Sequence, residues 1–168
     1  YSEGAPHKLN NIWCITPGRD SEPGVIYAGV DEAALFVSRD AGEHWEEMHG
    51  LTDHPSREEW CPGAGGLCCH SILLDPSNTD RMWVGISAVG AFRSDDAGKT
   101  WHTNNNGLEM AIEGKKHKDV GTCVHHMVLD QKNPKRLFQQ NHMGVYRSYN
   151  SGDTWDRMVN VFRVAPPL

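Results

Sequence analysis

The chain consists of short apolar runs separated by polar turns, and no stretch shows the 3.6-residue periodicity of a helix. The runs are rich in aromatic and β-branched residues and are bounded by turns such as Asp75-Pro76 and Asn133-Pro134, which is typical of short strands. They fall into three sets by their position in a repeat. The predicted first strands are 11–17, 70–76 and 125–131, and the second strands are 25–30, 82–87 and 137–141. The third strands are 35–38, 91–94 and 145–148. A fourth strand is predicted to begin at Trp45, Trp101 and Trp155.

An eight-residue signature, Ser-x-Asp/Asn-x-Gly-x-x-Trp, follows the third strand of each set. The copies begin at Ser38, Ser94 and Ser148, so they are 56 and 54 residues apart. A fixed period near this length indicates one repeated supersecondary unit that buries its apolar faces against its neighbours. We place the repeats at residues 1–51, 52–107 and 108–160, with 161–168 beginning a further repeat or forming a tail.

The signature residues have simple structural roles. The Asp or Asn side chain is expected to accept hydrogen bonds from its own turn, the Gly to supply a backbone conformation that other residues resist, and the Trp to pack against the repeat. These residues are Asp40, Gly42, Trp45, Asp96, Gly98, Trp101, Asn150, Gly152 and Trp155.

The signature resembles the Asp box, or BNR repeat, of sialidases, sortilin-type receptors, xyloglucanases and photosystem assembly factors, which are β-propellers. The stretches 16–25, 53–61 and 139–147 are in addition similar to bacterial BNR-repeat proteins with sialidase-like or glycosyl-hydrolase-like names. The resemblance implies an all-β fold of four-stranded antiparallel propeller blades, with three blades in this chain. It also implies that this chain is a segment of roughly half the length of such proteins. The resemblance does not imply any particular enzymatic reaction.

Three blades do not close a propeller, because closed rings typically have about four to eight. An open stack would expose apolar sheet faces at both ends. We therefore expect either a second copy that closes a ring, most simply with six blades, or further blades in a longer chain.

Binding is expected on the face opposite the boxes, where the long loops lead into the inner strands. By repeat position, Asn11, His70 and His125 begin successive inner strands near the propeller axis, and His142 lies on a turn at the same end. The predicted ligand-binding residues are His54, Arg57, Trp60, His70, His125, Asn141 and His142. His70, His125 and His142 are a candidate zinc site. The alternative is that these histidines hydrogen-bond neighbouring blades.

A glycoside hydrolase would need two carboxylates in its cleft, roughly 5–9.5 Å apart. The candidates on the predicted face are Asp31, Glu58 and Glu59. A sialidase would also need an arginine cluster, as the resemblance implies. Arg57 lies on the predicted face, whereas Arg93 and Arg147 lie near the boxes, so this chain does not assemble that cluster.

Composition narrows the possible functional classes and cellular locations further. The net charge of −6 and the absence of a basic stripe argue against nucleic acid, and no apolar run approaches the roughly 20 residues of a membrane span. Five cysteines at irregular spacing favour a reduced, cytoplasmic setting. Apart from the candidate zinc, no cofactor is expected.

Three functions remain open after this sequence reading. The first is a binding or assembly module for a protein, peptide or carbohydrate ligand, acting through a His-rich loop face. The second is a carbohydrate-active hydrolase, and the third is a metal-dependent hydrolase.

Overall fold

The protein is described by a computed structural model that covers residues 7–110 and 119–159. The predicted tail at 161–168 lies outside these ranges. The first sheet contains β1 (Asn11–Pro17), β2 (Ile26–Asp31), β3 (Ala34–Ser38) and β4 (Glu46–Glu47). The second contains β5 (Cys69–Leu74), β6 (Met82–Ile86), β7 (Gly90–Ser94) and β8 (His102–Thr103). The third contains β9 (Val124–Leu129), β10 (Leu137–Asn141), β11 (Gly144–Ser148) and β12 (Asp156–Arg157).

Each sheet is a meander of four antiparallel strands that pair in chain order. The predicted all-β fold, with three four-stranded blades and a box turn between the third and fourth strands, is confirmed. We call the sheets blades 1, 2 and 3. The fourth strand of each blade has only two residues and starts one position after the box tryptophan.

The blades stack through two apolar layers. Alternate residues of each strand point to opposite faces of a blade, so each face can cover one neighbour. Between blades 1 and 2 the layer includes Tyr27, Leu35, Val84 and Phe92, all buried. Between blades 2 and 3 it is built around Trp83, whose indole nitrogen donates to the Ser151 carbonyl at 2.9 Å.

The three box turns share one hydrogen-bond pattern. In the second box, Ser94 Oγ donates to Asp96 Oδ1 and accepts from the Gly98 amide, both at 2.8 Å. Asp96 Oδ1 also accepts from the Thr100 amide at 2.8 Å. The first box repeats these contacts around Asp40, and the third repeats them around Asn150, whose amide oxygen takes the place of a carboxylate oxygen. The box therefore needs a side-chain oxygen at this position and does not need a charge.

Two consecutive positive φ angles turn the chain in each box. Ala97 has φ 59° and Gly98 has φ 82°, and the other boxes have the same pair of conformations. A β-carbon at Gly98 would lie 2.0 Å from Met48 Cε of the preceding connection. The glycine is therefore favoured by its backbone conformation, whereas the flexible end of Met48 could move aside for a β-carbon.

Each inner strand carries a β-bulge near its start. The pairing of β1 with β2 passes from Ile12 to Cys14, which leaves Trp13 as the extra residue. In β5 and β9 the extra residues are His70 and His125. This register corrects the sequence alignment, because the residue equivalent to the two histidines is Trp13 and not Asn11. A bulge redirects its side chain, and here all three bulge side chains reach one cleft.

The connection between blades 1 and 2 differs from the predicted long loop. It contains a one-turn helix α1 (His49–Thr52) and a 3₁₀ turn at Arg57–Glu59. Leu51 is fully buried and Trp60 is nearly so, and both belong to the apolar layer between blades 1 and 2. The apolar residues of this connection therefore hold it against the blades.

Candidate functional site

A cleft of about 690 Å³ lies where the inner strands begin, at the end of the stack away from the boxes. The bulge residues Trp13, His70 and His125 line it together with His142 from the β10–β11 turn. The other lining residues are Gly63, Ala64, Gly65, Cys68, Ser87, Ala88 and Cys123. The cleft walls are thus mostly small apolar groups, thiols and aromatic rings, with imidazoles as the main polar groups.

His70 is tied to its surroundings through both ring nitrogens. Its Nε2 lies 2.8 Å from the Val124 carbonyl of blade 3, and its Nδ1 lies 2.9 Å from Ser71 Oγ. The first contact requires a proton on Nε2, so Nδ1 accepts from the serine hydroxyl. Burial lowers the pKa of His70, and the Val124 contact opposes this shift. His70 is therefore a neutral link between blades 2 and 3, as the alternative interpretation of the histidines described.

His125 and His142 form a close pair on blade 3. Their ring centroids are 4.4 Å apart and their planes meet at 80°. Burial and the neighbouring His142 lower the pKa of His125, although a contact from Gln140 opposes this. Gln140 Nε2 lies 3.1 Å from His125 Nδ1. At neutral pH the ring of His125 is thus uncharged, and in this arrangement its one lone pair, on Nδ1, accepts from Gln140.

Cys123 completes this group in place of His70. Ligand atoms of Cys123, His125 and His142 all lie within 4.8 Å of one another. The thiol is half-buried and both imidazoles are exposed. Sequence reasoning missed Cys123 as a ligand, although its Cys-x-His spacing with His125, directly before β9, was a signal for it.

Asn141 shapes the turn that presents His142. Its Oδ1 accepts from the amides of Met143 at 2.8 Å and Gly144 at 3.1 Å. The residue is only 3% exposed and does not line the cleft. It acts on the site by fixing the loop, which differs from the predicted ligand contact.

The segment with His54, Arg57 and Trp60 lies in the interface between blades 1 and 2. The rings of His54 and Trp60 each lie 5.1 Å from that of Phe92. Trp60 Nε1 donates to Ser56 Oγ at 2.9 Å, and the Arg57 guanidinium lies over the Trp60 ring and donates to the Ala33 carbonyl. These residues do not line the cleft. Burial of Trp60 draws the segment inward, and residues 63–65 border the cleft instead.

The three candidate carboxylates lie outside the cleft lining. Asp31 Oδ1 accepts from the Leu67 amide at 3.3 Å and so supports the loop that precedes β5. Glu58 and Glu59 lie on the 3₁₀ turn, where Glu58 is exposed and Glu59 half-buried. Among the described residues, the cleft lining contains neither a carboxylate nor an arginine.

A second cavity, of about 400 Å³, lies at the opposite end of the inner strands. Its lining residue Arg19 is buried and donates to the backbone carbonyls of Asp75 and Arg81, each at 2.7 Å. The guanidinium thus joins blades 1 and 2. The cleft with the imidazoles is the better candidate site, because His125 and His142 are exposed in it, whereas the Arg19 guanidinium is buried and bonded to backbone carbonyls.

Comparison with known proteins assigns the repeat and the fold. Residues 92–103, which contain the second box, match the BNR/Asp-box repeat family model. No curated protein sequence matches the chain.

Solved structures with the same fold include an ancestral GH74 enzyme, with 17% identity, a TM-score of 0.61, and coverage of 92% of this chain and 19% of that one. YCF48 from Cyanidioschyzon merolae has 17% identity, a TM-score of 0.55, and coverage of 93% and 39%. A structure of YCF48 bound to D1 peptide has 17% identity, a TM-score of 0.56, and coverage of 90% and 40%. The chain thus spans less than half of these proteins.

The repeats and the blades together define the class. Its second box matches the BNR/Asp-box repeat, the other two boxes share the same hydrogen-bond pattern, and the three sheets have the fold of β-propeller blades. Across residues 7–110 and 119–159, no helix has the length and apolar character needed to cross a membrane.

Proposed function

We propose that this chain is a ligand-binding module of a β-propeller. The cleft lined by Trp13, His70, His125 and His142, which we call the axial cleft, takes an uncharged peptide segment of a partner protein. The lining of the cleft carries the proposal. The volume of about 690 Å³ lies within the usual range for ligand pockets, and the lining combines apolar walls with a few polar groups. Lowered pKa values keep His70 and His125 neutral, so the cleft favours uncharged ligands.

Trp13 supplies an aromatic surface at the edge of this cleft. Its side chain is 48% exposed, on a strand whose residues Ile12 and Ile15 are exposed as well. Exposed tryptophans are favoured anchors in protein interfaces, because they bury a large area on binding. The fold neighbour YCF48 bound to D1 peptide supports a peptide as the ligand class.

The test fills the cleft with a side chain. A β-carbon at Gly65 would meet no atom within 4 Å, so Gly65→Trp should occupy the cleft without disturbing the backbone. Glu43→Trp adds the same ring at an exposed box position and serves as the control. Labelled parent protein is applied to a peptide array with uncharged, acidic and basic sequences.

The proposal expects the parent and Glu43→Trp to bind uncharged peptides, and Gly65→Trp to lose this binding. Equal binding by both tryptophan variants would place the site elsewhere. Selection of only charged peptides by the parent would contradict the proposed ligand class.

A carbohydrate-active hydrolase is the second candidate. The GH74 fold neighbour and the aromatic face of Trp13, which suits a sugar ring, favour it. The cleft lining provides no carboxylate pair, so catalysis would need acids from outside the described lining. Release of reducing ends from a glycan panel, lost in Asp31→Asn, would support this function. A metal-dependent hydrolase is the third candidate and depends on the imidazole cluster.

We also infer that the outer faces of blades 1 and 3 pack against further blades. Ile12 and Ile15 on blade 1 are 59% and 63% exposed, and Val128 on blade 3 is 47% exposed. Such apolar sheet faces favour association. A second copy could cover them by closing a six-blade ring, or a longer chain could supply the blades. A stable 18.8 kDa monomer in native mass measurements would contradict association of this chain with itself.

A reducing compartment, the cytoplasm, is the proposed location. Cys14, Cys68, Cys69 and Cys123 are thiols, and burial holds the pKa of Cys69 well above its ordinary value. Free thiols persist in reducing compartments. Cell fractionation with a specific antibody tests this location.

A further inference from the structure

We propose that Cys123, His125 and His142 bind a transition-metal ion, with zinc as the expected metal, at the blade 3 side of the axial cleft. A thiolate and two imidazoles form a ligand set that zinc prefers. The site uses one blade only, because Cys123 precedes β9, His125 is its bulge residue and His142 lies on the adjacent turn. It does not depend on the proposed peptide binding.

The geometry requires only small movements. Ligands of tetrahedral zinc lie roughly 3.3–3.8 Å apart, given Zn–N distances of about 2.0–2.1 Å and Zn–S distances of about 2.3 Å. The three ligand atoms already lie within 4.8 Å of one another. Both imidazoles are exposed, so rotation of their side chains can close this gap without repacking the core.

The backbone presents the ligands for this purpose. Cys123 and His125 are two positions apart, so they can share a face, and the bulge side chain of His125 lines the cleft together with Cys123. The Asn141 side chain holds the turn that carries His142. His125 and His142 are thus presented by a bulge and a turn of blade 3, and since the bulge recurs in the other two blades, the site is distinguished by its ligand residues.

Gln140 can act as the outer partner of the site. Its side-chain amide contacts His125 Nδ1 at 3.1 Å. The nitrogen and oxygen of an amide exchange places when the group rotates by half a turn. Gln140 Nε2 also donates to the Asn141 carbonyl at 3.1 Å, so metal binding through His125 Nε2 requires the amide to turn over and give up that contact; His125 Nδ1–H then donates to the Gln140 oxygen. Such outer contacts fix the tautomer of metal-binding histidines.

The remaining coordination position would face the cleft, because all three ligands line it. Three protein ligands with an open position are typical of zinc sites that bind a water molecule or a further ligand, whereas structural sites have four. One thiolate leaves the zinc centre with net positive charge, so an oxygen donor in the cleft would be attracted to it.

Cobalt(II) is the probe, because a cobalt–thiolate bond gives a charge-transfer band that reports the cysteine. The full chain is reduced and titrated with cobalt(II), and zinc(II) is then added. The proposal expects saturation at one cobalt per chain with the thiolate band, followed by displacement by zinc. Cys123→Ser should lose the band, and His125→Ala and His142→Ala should each weaken binding by more than about tenfold.

Matched controls make the test specific. Cys61→Ser removes an exposed thiol outside the cluster, and His126→Ala removes the exposed neighbour of His125. Both should bind cobalt as the parent does. Gln140→Ala should weaken binding about 10- to 100-fold, as is usual for the loss of an outer partner.

Three outcomes would overturn the site. They are the absence of saturable cobalt binding, a thiolate band that persists in Cys123→Ser, and equal losses in His126→Ala and His125→Ala. Circular dichroism of each variant verifies its fold. Since no peptide is present, failure here leaves the peptide-binding test unaffected.

Discussion

The box end and the cleft end of the stack use the same three repeats differently. At the box end, Ser94 and Asp96 make hydrogen bonds that recur with nearly equal lengths in the other two blades. At the cleft end, the equivalent bulge positions hold a tryptophan and two histidines, and each has a different environment. Positions that repeat maintain the scaffold, and equivalent positions that differ are free to carry chemistry.

The box tryptophans differ in burial according to the position of their blade in the stack. Trp101 and Trp155 are 7% and 3% exposed, whereas Trp45 of the first blade is 40% exposed. Trp155 Nε1 donates to the Asn104 carbonyl, which lies on the connection from blade 2. Trp101 instead donates within its own box, to the Gly98 carbonyl, and the connection from blade 1 reaches that box by packing of Met48 near Gly98. The chain from the preceding blade thus covers the second and third boxes.

The largest effect is expected from the scaffold between blades. Trp83→Ala removes a fully buried indole and its hydrogen bond to Ser151, so the free energy of unfolding should fall by about 3–5 kcal/mol. Chemical denaturation measures this change. Trp45→Ala is the control, because its partly exposed ring should cost less. If both variants lost the same free energy of unfolding, packing between blades 2 and 3 would contribute no more to stability than a partly exposed box residue.

A smaller effect is expected within a single box. Asp96→Ala removes the acceptor for Ser94 and Thr100 and should cost about 1 kcal/mol of stability. Asp96→Asn copies the third box, where Asn150 makes the same contacts, and should cost less. Thermal unfolding compares the two. An asparagine variant as unstable as the alanine variant would contradict a role based on the side-chain oxygen.

The box end could be predicted well from the sequence, because the conformation of each box turn is determined by residues close together in the chain. The side-chain oxygen, the glycine and the tryptophan lie within eight residues, and each has a conformational reason to be there. The blade order followed from the repeat. The cleft was harder, because a bulge shifts the strand register by one residue. The sequence alignment therefore paired Asn11 with His70, whereas the backbone pairs Trp13 with it.

The segment around Trp60 shows a second limit of sequence reasoning. Polar, aromatic loop residues suggested a ligand surface, but Trp60 is buried against Phe92 and draws His54 and Arg57 into the interface. A single tryptophan can stabilise packing or bind a ligand, and its neighbours in space decide which. Those neighbours belong to another blade, so sequence distance could not reveal them.

The pH dependence of stability should distinguish His70 as a link between blades. Burial lowers its folded pKa below the ordinary 6.5, so the unfolded chain binds more protons just below that pH. Its contribution to stability is therefore fully present above pH 6.5 and is lost as the pH falls toward the folded pKa. Denaturation of the parent and of His70→Gln at several pH values should show a flatter dependence in the variant. Identical dependences would contradict a buried neutral His70.

The smallest effect on stability is expected at the cleft. His125 is exposed, so His125→Ala should change the free energy of unfolding by less than about 0.5 kcal/mol. Denaturant unfolding of this variant and of His126→Ala should give midpoints close to that of the parent. A large loss confined to His125→Ala would make this residue part of the scaffold.

The division between the two ends is tested most directly by measuring stability and cobalt(II) affinity on the same two variants. Asp96→Ala should lower the melting temperature and keep the parent's cobalt affinity. His125→Ala should keep the melting temperature and lose cobalt affinity. If Asp96→Ala also lost the metal at temperatures where it is folded, or if His125→Ala unfolded and retained the metal, the two ends would not have separate roles.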